Sequence, residues 1–210
     1  MADNYLGRKM EEYEAQKCAS VRTRRVSLVS LLTKNRSTRG FDASFKVRED
    51  QLLSLIEAAR LAPSAMNQQA LRYRIVTESE AHLVLPHIRL GAALRDVKLP
   101  LEGTEPNAFV VICSTKEGRF VDIDLGIATQ TILLRAVEMG LNGICIAAFD
   151  QEEISKALQL PYPPQLILAI GRSAERIEVV DISEGESQTY YRKNGVHYVP
   201  KLRSKDLIIK

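Results

Sequence analysis

At 210 residues, 45% of them apolar, the chain can bury one substantial core, and nothing in its composition forces a second domain. Lys and Arg number 29 against 26 acidic residues, a net charge of +3 that is too small and too evenly spread to point to a nucleic-acid partner. Cys18, Cys113 and Cys145 lie far apart, with no C-x-x-C pair and no histidine close in sequence, so neither a disulfide framework nor a zinc site is indicated and a reducing cytoplasm is the expected compartment.

The N-terminus has no apolar segment of signal-peptide type, and no apolar run reaches membrane-spanning length, so a soluble, intracellular protein is expected. Residues from Tyr5 to about Ala19 are rich in Glu, Lys, Met and Ala, which predicts a peripheral helix, and Arg22, Arg24 and Arg25 read as a solvated face. Val26 to Lys34 spaces Leu28, Val29, Leu31 and Leu32 as a second, more buried helix ending near Asn35. A polar join, Arg36 to Asp42, follows, with Gly40 permitting a bend. Glu49 to Ala62 puts Leu52, Leu55, Ile56 and Ala59 on one stripe, carries acidic residues in its first turn and is closed by Pro63.

Leu71 to Thr77 alternates with the period of a strand that has one wet face. Two short helical stretches are expected next, with Ser79 as an N-cap and Pro86 at a fresh helix start. Asn107 to Ser114 is apolar on both faces and β-branched, the mark of a central strand. Asp124 to Met139 is a helix apolar around most of its circumference and ended by Gly140, so it must be covered on more than one side, with its own sheet as one cover and a second subunit as a candidate for another. A strand from Gly143 to Phe149, a helix capped by Asp150 and a strand from Gln165 to Ile170 complete the pattern. The alternation is only partial, which predicts an α+β fold with a mixed central β-sheet flanked by helices. One domain should span 1–210, with the N-terminal helix at about 5–19 and a C-terminal arm at about 181–210. That arm has no amphipathic period and ends in the apolar Leu207-Ile208-Ile209, which packing across a dimer would bury.

Several common chemistries are unsupported: the chain has no phosphate-binding G-x-x-x-x-G-K-[ST], no G-x-G-x-x-G, no H-E-x-x-H and no G-x-S-x-G elbow. Ser64 has no base among its neighbours and reads as a turn serine serving backbone groups. His82, His87 and His197 read as ordinary, partly exposed side chains, and Cys145 as a small core residue. Arg36, Ser37 and Arg39, by contrast, bring two guanidinium groups and a hydroxyl within four residues at a helix end. Arginine makes bidentate contacts to phosphate oxygens, so a phosphomonoester suits this trio. Alone, such a trio is more often a solvated loop, and it carries weight only with companions.

Those companions exist. Asn35 to Asp42 (NRSTRGFD), Leu61 to Val76 (LAPSAMNQQALRYRIV), Asp124 to Phe149 (DLGIATQTILLRAVEMGLNGICIAAF) and Leu168 to Glu175 (LAIGRSAE) stand in an order and at intervals that resemble the FMN-dependent nitroreductase family. The resemblance implies an α+β homodimer with FMN at each subunit interface. It implies that Arg36 and Ser37 hold the phosphate or ribityl chain and that Arg39 faces the pyrimidine edge, where a cation stabilises the reduced, anionic flavin. Pro63, Ser64, Ala65 and Asn67 match a P-S-x-x-N segment that lines the flavin from the partner chain. Ala147 and Ala148 match the loop whose backbone N–H faces flavin N5, and Gly171 and Arg172 match an L-G-[KR] stretch that makes Arg172 a third phosphate candidate. Three stretches depart from the family pattern: Asn35 stands where many members carry an arginine, Gln69-Ala70-Leu71 replaces a Q-P-W, and Ala147 and Ala148 replace the customary glycines of the N5 loop.

The implied reaction is ping-pong: NAD(P)H gives up two electrons, leaves, and an oxidised acceptor such as a nitroaromatic or quinone takes its place. No catalytic side chain and no metal are expected, since the cofactor carries the chemistry and the protein positions it. Three readings stay open from the sequence: an FMN oxidoreductase, a protein of this fold that stores or senses FMN, and a structural dimer whose arginines are surface charge.

Overall fold

In the computed structural model, residues 9, 26–90 and 99–209 are described. The expected helix at about 5–19 and the Arg22–Arg25 cluster lie outside the described residues, Lys9 excepted. Helix α1 (Leu28–Lys34) opens with Ser27, whose Oγ accepts from the Ser30 N–H at 3.2 Å. Helix α2 (Glu49–Arg60) starts with a box in which Gln51 Oε1 accepts from the Arg48 N–H at 3.0 Å, and it stops before Pro63. Then come β1 (Leu71–Val76), β2 (Ala108–Ser114), α3 (Arg119–Glu138), β3 (Asn142–Ile146), α4 (Gln151–Ala157) and β4 (Pro164–Gly171). The chain finishes in β5 (Arg176–Ile182), β6 (Tyr191–Lys193) and β7 (Val196–Leu202).

The central sheet runs β1-β2-β4-β3, with every neighbouring pair antiparallel. Parallel pairing enters at its edge, where Ser37 bridges Gly143 beside β3, and in a second sheet, β5-β7-β6, where β5 and β7 run parallel. Strand β2 is buried along its whole length, as its unbroken apolar run requires. Its Val110 and Ile112 pack with Leu52, Leu55 and Ile132 of the helical layer, while Phe109 and Val111 pack on the opposite face with Val84 and Ile154. The pleat thus builds two cores from one strand, and each fully buried Leu, Ile or Phe contributes about 1.5–3 kcal/mol. Gly140, at φ +76°, turns the chain out of α3, and Asp150 Oδ1 caps α4 through the Glu153 N–H at 3.1 Å.

Four expectations change. Helix α1 exists, but it has no buried residue, and Val29 is 72% exposed; among the described residues it rests chiefly on α3. The stretch after β1 forms tight 3₁₀ turns, Glu78–Leu83 and Leu85–His87, and Thr77 rather than Ser79 takes the cap position. Helix α3 begins at Arg119, five residues before the expected Asp124, because Gly118 at φ +128° ends the preceding turn. Residues 176–202, where no period was legible, form the second sheet.

Candidate functional site

The join 36–42 is fastened to the sheet at both ends. The Thr38 N–H donates to Gly143 O at 3.1 Å, the Asp42 N–H donates to Arg172 O at 2.9 Å, and the buried Thr38 hydroxyl reaches Ser173 Oγ at 3.0 Å. Three residues of this join, Arg36, Ser37 and Arg39, therefore line one cavity of about 430 Å³. Gly143 forms part of its floor, and a Cβ there would lie 2.6 Å from Ala169 O. The far wall comes from β7 of the second sheet and the loop that leads into β6: Tyr190, His197, Val199 and Lys201. Arg39 lies over the Tyr190 ring at 4.8 Å, and His197 stacks on the same ring at 5.2 Å.

This cavity carries Arg36, Arg39 and Lys201 and, among the described residues, no carboxylate in its lining. Burial pushes the Arg36 guanidinium below its usual pKa, although an arginine stays charged at any ordinary pH. Nε of Arg36 and Nε of Arg39 are buried without a hydrogen-bond partner. Desolvated cations with unused donors suit an oxyanion, and the planar guanidinium fork matches a pair of phosphate oxygens. The residue types and the cavity thus fit the phosphate end of a nucleotide-like cofactor.

The second group of residues occupies a different place. Pro63 and Ser64 line a separate, mainly apolar cavity of about 240 Å³ with Ala70, Leu71, Tyr73 and Asp124. The turn Ala65–Asn67 that follows holds Met66 and Asn67 at φ 52° and 51°, and Gln69 has φ 45°. Left-handed backbone at non-glycine residues persists only where the surroundings impose it. Asp124 of α3 does so: its Oδ1 accepts from the Ala65 N–H and its Oδ2 from the Gln68 amide Nε2, both at 2.9 Å. Asp124 is only 4% exposed, and sequence reasoning passed it over as the first residue of an apolar helix. Its signal was an acid at the head of that apolar run. Ser64 Oγ accepts from the Gln69 N–H at 3.3 Å, as a turn serine should.

The remaining candidates scatter. Ala147 and Ala148 are exposed just past β3, and Ala148 lines a third cavity of about 380 Å³ with His87 and Arg89. Gly171 pairs with Asn142, and a Cβ on it would sit 2.7 Å from Phe41 Cδ1. Arg172 does not line the Arg36 cavity; its guanidinium lies over Phe45 at 4.0 Å and 3.8 Å from Asp42. Asn35 reaches Gln130 at 3.4 Å instead of contributing a charge. Two bland expectations are corrected. His197 is 3% exposed, not partly exposed, because β7 lays it against Tyr190. Cys145 is exposed, not core, because it opens into the Arg36 cavity, whose walls still crowd the thiol enough to raise its pKa.

The nitroreductase family model matches residues 32–172, two thirds of the chain and the whole stretch from the phosphate-type trio to Arg172. The chain belongs to the nitroreductase family. Solved structures agree on the fold. An FMN-dependent nitroreductase from Clostridium difficile R20291 is 26% identical, with 71% of this chain and 89% of that one covered at a TM-score of 0.56. A nitroreductase family protein from Clostridium difficile 630 is 23% identical, with 71% and 86% covered and a TM-score of 0.57. A proposed nitroreductase from Exiguobacterium sibiricum, crystallised in complex with FMN, is 17% identical, with 71% and 90% covered and a TM-score of 0.58. No curated protein matches the sequence. Among the described residues of this nitroreductase-family chain, no helix is long and apolar enough to cross a membrane, and no group of side chains could hold a metal ion.

Proposed function

We propose that this nitroreductase-family protein is an FMN-dependent oxidoreductase that moves two electrons from NAD(P)H to an oxidised acceptor such as a nitroaromatic or quinone, by a ping-pong route. The observation that carries the reading is the pair of buried, unpartnered guanidinium nitrogens of Arg36 and Arg39 in one carboxylate-free cavity. FMN, when bound, supplies the two-electron chemistry. Arg36 and Ser37 hold its phosphate end, and Arg39 places a positive charge where negative charge gathers on reduction. Arg172 joins them only by leaving Asp42 and Phe45, so the phosphate falls first to Arg36 and Ser37.

The wall formed by Pro63, Ser64, Ala65 and Asn67 belongs to the same site through a second subunit. Within one chain that wall and the Arg36 cavity have no lining residue in common. A homodimer that faces one against the other is favoured by the apolar side chains a single chain leaves bare: Leu28 and Val29 on α1, and Phe120, Ile123 and Ile127 on α3. Asp124 fixes the turn, and the small Ala65 lets a flat ring approach it. The chain's task is to bind, orient and exclude water, without a side-chain acid or base.

The test is spectroscopic. Purified protein should be yellow, release FMN on denaturation, lose its colour with NADH or NADPH and regain it with a nitroaromatic. Protein that takes up no added FMN overturns the reading, and colour that neither nicotinamide bleaches leaves a flavin carrier in place of an enzyme.

A further inference from the structure

The family match ends at residue 172 and β5 begins at Arg176, so the second sheet lies wholly outside the matched stretch. Neither hydrophobic core draws a residue from β5, β6 or β7. The second sheet nevertheless supplies the far wall of the Arg36 cavity, so the width of that cavity depends on how the sheet is fastened. Arg39 and His197 act as a partition. They line the Arg36 cavity on one side and, on the other, a cavity of about 270 Å³ that holds Glu175 and Arg192. Glu175 is where the fastening converges. Its side chain is only 9% exposed; Oε2 accepts from the Arg39 N–H at 2.5 Å, and Oε1 pairs with the guanidinium of Arg192 on β6. The backbone around it is tied to the join: Ser173 Oγ accepts from the Glu175 N–H at 3.2 Å, and the Ala174 N–H donates to Gly40 O at 3.0 Å. A Cβ on Gly40 would lie 3.2 Å from Glu175 Cγ, so the acid packs directly on the chain beside Arg39. Taking one partner from a pair so far removed from water costs much more than breaking an exposed one.

We propose that Glu175 is a positioning residue, a clasp that holds the backbone of Arg39 with one carboxylate oxygen and the second sheet with the other, and so sets the width of the site. It touches no ligand and acts through its two partners. Arg192 stands opposite His197 in the β6–β7 register, so the clasp reaches a wall residue of the cavity through one strand pair. The clasp itself rests on these contacts alone; that the ligand it shapes the site for is FMN rests on the flavin reading above.

Cys145 reports on the clasp without any cofactor, because its thiol opens into the Arg36 cavity while Cys113 is buried. Crowding by the cavity walls raises the Cys145 pKa, so drawing the far wall back should ease deprotonation and speed its alkylation. In the flavin-free full chain, with each cysteine followed by mass spectrometry, Glu175→Ala and Arg192→Ala should move the pH profile of Cys145 alkylation to lower pH. The rate at pH 7 should rise at least about threefold, with Cys113 unchanged. Arg192→Lys keeps a cation within reach of the carboxylate and should restore most of the wild-type profile. In fluorescence titration both alanine variants should weaken FMN by at least about tenfold, the scale of one hydrogen bond to a charged group. A matching rise at Cys113 would mark a general loss of fold, and an unmoved Cys145 profile in Arg192→Ala would show that the pair fastens nothing; either overturns the proposal. So does wild-type FMN affinity in both alanine variants. Where the wild type takes up no FMN, the flavin reading fails on its own, and the alkylation profiles decide the clasp.

Discussion

A methyl group at residue 171 would lie 2.7 Å from Cδ1 of Phe41, a ring that is itself buried and cannot step aside. Gly171→Ala should therefore cost about 1–3 kcal/mol by overpacking, read as a lower thermal midpoint of the flavin-free protein. That loss would explain the glycine by packing before any contact with a cofactor is invoked. Cys113 gives a prediction of a different kind. Its thiol is 3% exposed on β2, and burial pushes its pKa up to about 11 from the ordinary 9.0. Below pH 9 the thiol is protonated in both the folded and the unfolded chain, so its share of stability is fully present. Between pH 9 and 11 the unfolded chain gives up the proton first, and stability falls by up to about 2–3 kcal/mol. Denaturant titrations across that window should show a steeper alkaline decline for the wild type than for Cys113→Ala, and parallel curves would refute the assignment.

Helix α3 shows what a pattern reveals and what it hides. Its apolar circumference is legible because one face meets the sheet, through Ile132 and Ala136, while apolar Phe120, Ile123 and Ile127 on another face stay exposed. Strands β2 and β4 are legible for a related reason: unbroken apolar runs have no wet face to leave open. The second sheet hides because β5 and β7 pair in parallel across a long intervening segment, while β6 is exposed throughout, so no local period records the pairing. The site divides along the same line. Arg36, Ser37 and Arg39 announce themselves by adjacency, whereas Tyr190, His197 and Lys201 reach the same cavity from more than 150 residues away, and Asp124 acts on a turn it does not neighbour in sequence. Ile123→Asp tests the outward face of α3. Because Ile123 is exposed within one chain, the variant should fold with unchanged helix content. If the proposed homodimer forms through this face, the variant should weaken it by at least about 2 kcal/mol, roughly thirtyfold, in sedimentation equilibrium. A variant that stays as dimeric as the wild type would move the interface elsewhere.

At the scale of the whole molecule, the division of the site between two cavities links cofactor affinity to association. If Arg36 and Ser37 of one chain grip the phosphate while the Pro63–Asn67 turn of another covers the ring, flavin binds the dimer more tightly than the single chain, and by reciprocity flavin must tighten the dimer. The consequence is measurable without any turnover. With FMN at about a hundred times its dissociation constant, the bound state gains about 2.7 kcal/mol, which for a chain of this length raises the thermal midpoint by roughly 5–11 °C. The discriminating variable is protein concentration. Diluting the sample should lower the FMN-dependent gain, since dilution separates the two walls, and Ile123→Asp should show only a small gain at every concentration. A site complete within one chain predicts a gain that depends on free FMN alone. Differential scanning fluorimetry over a hundredfold range of protein, at fixed excess FMN, separates the two.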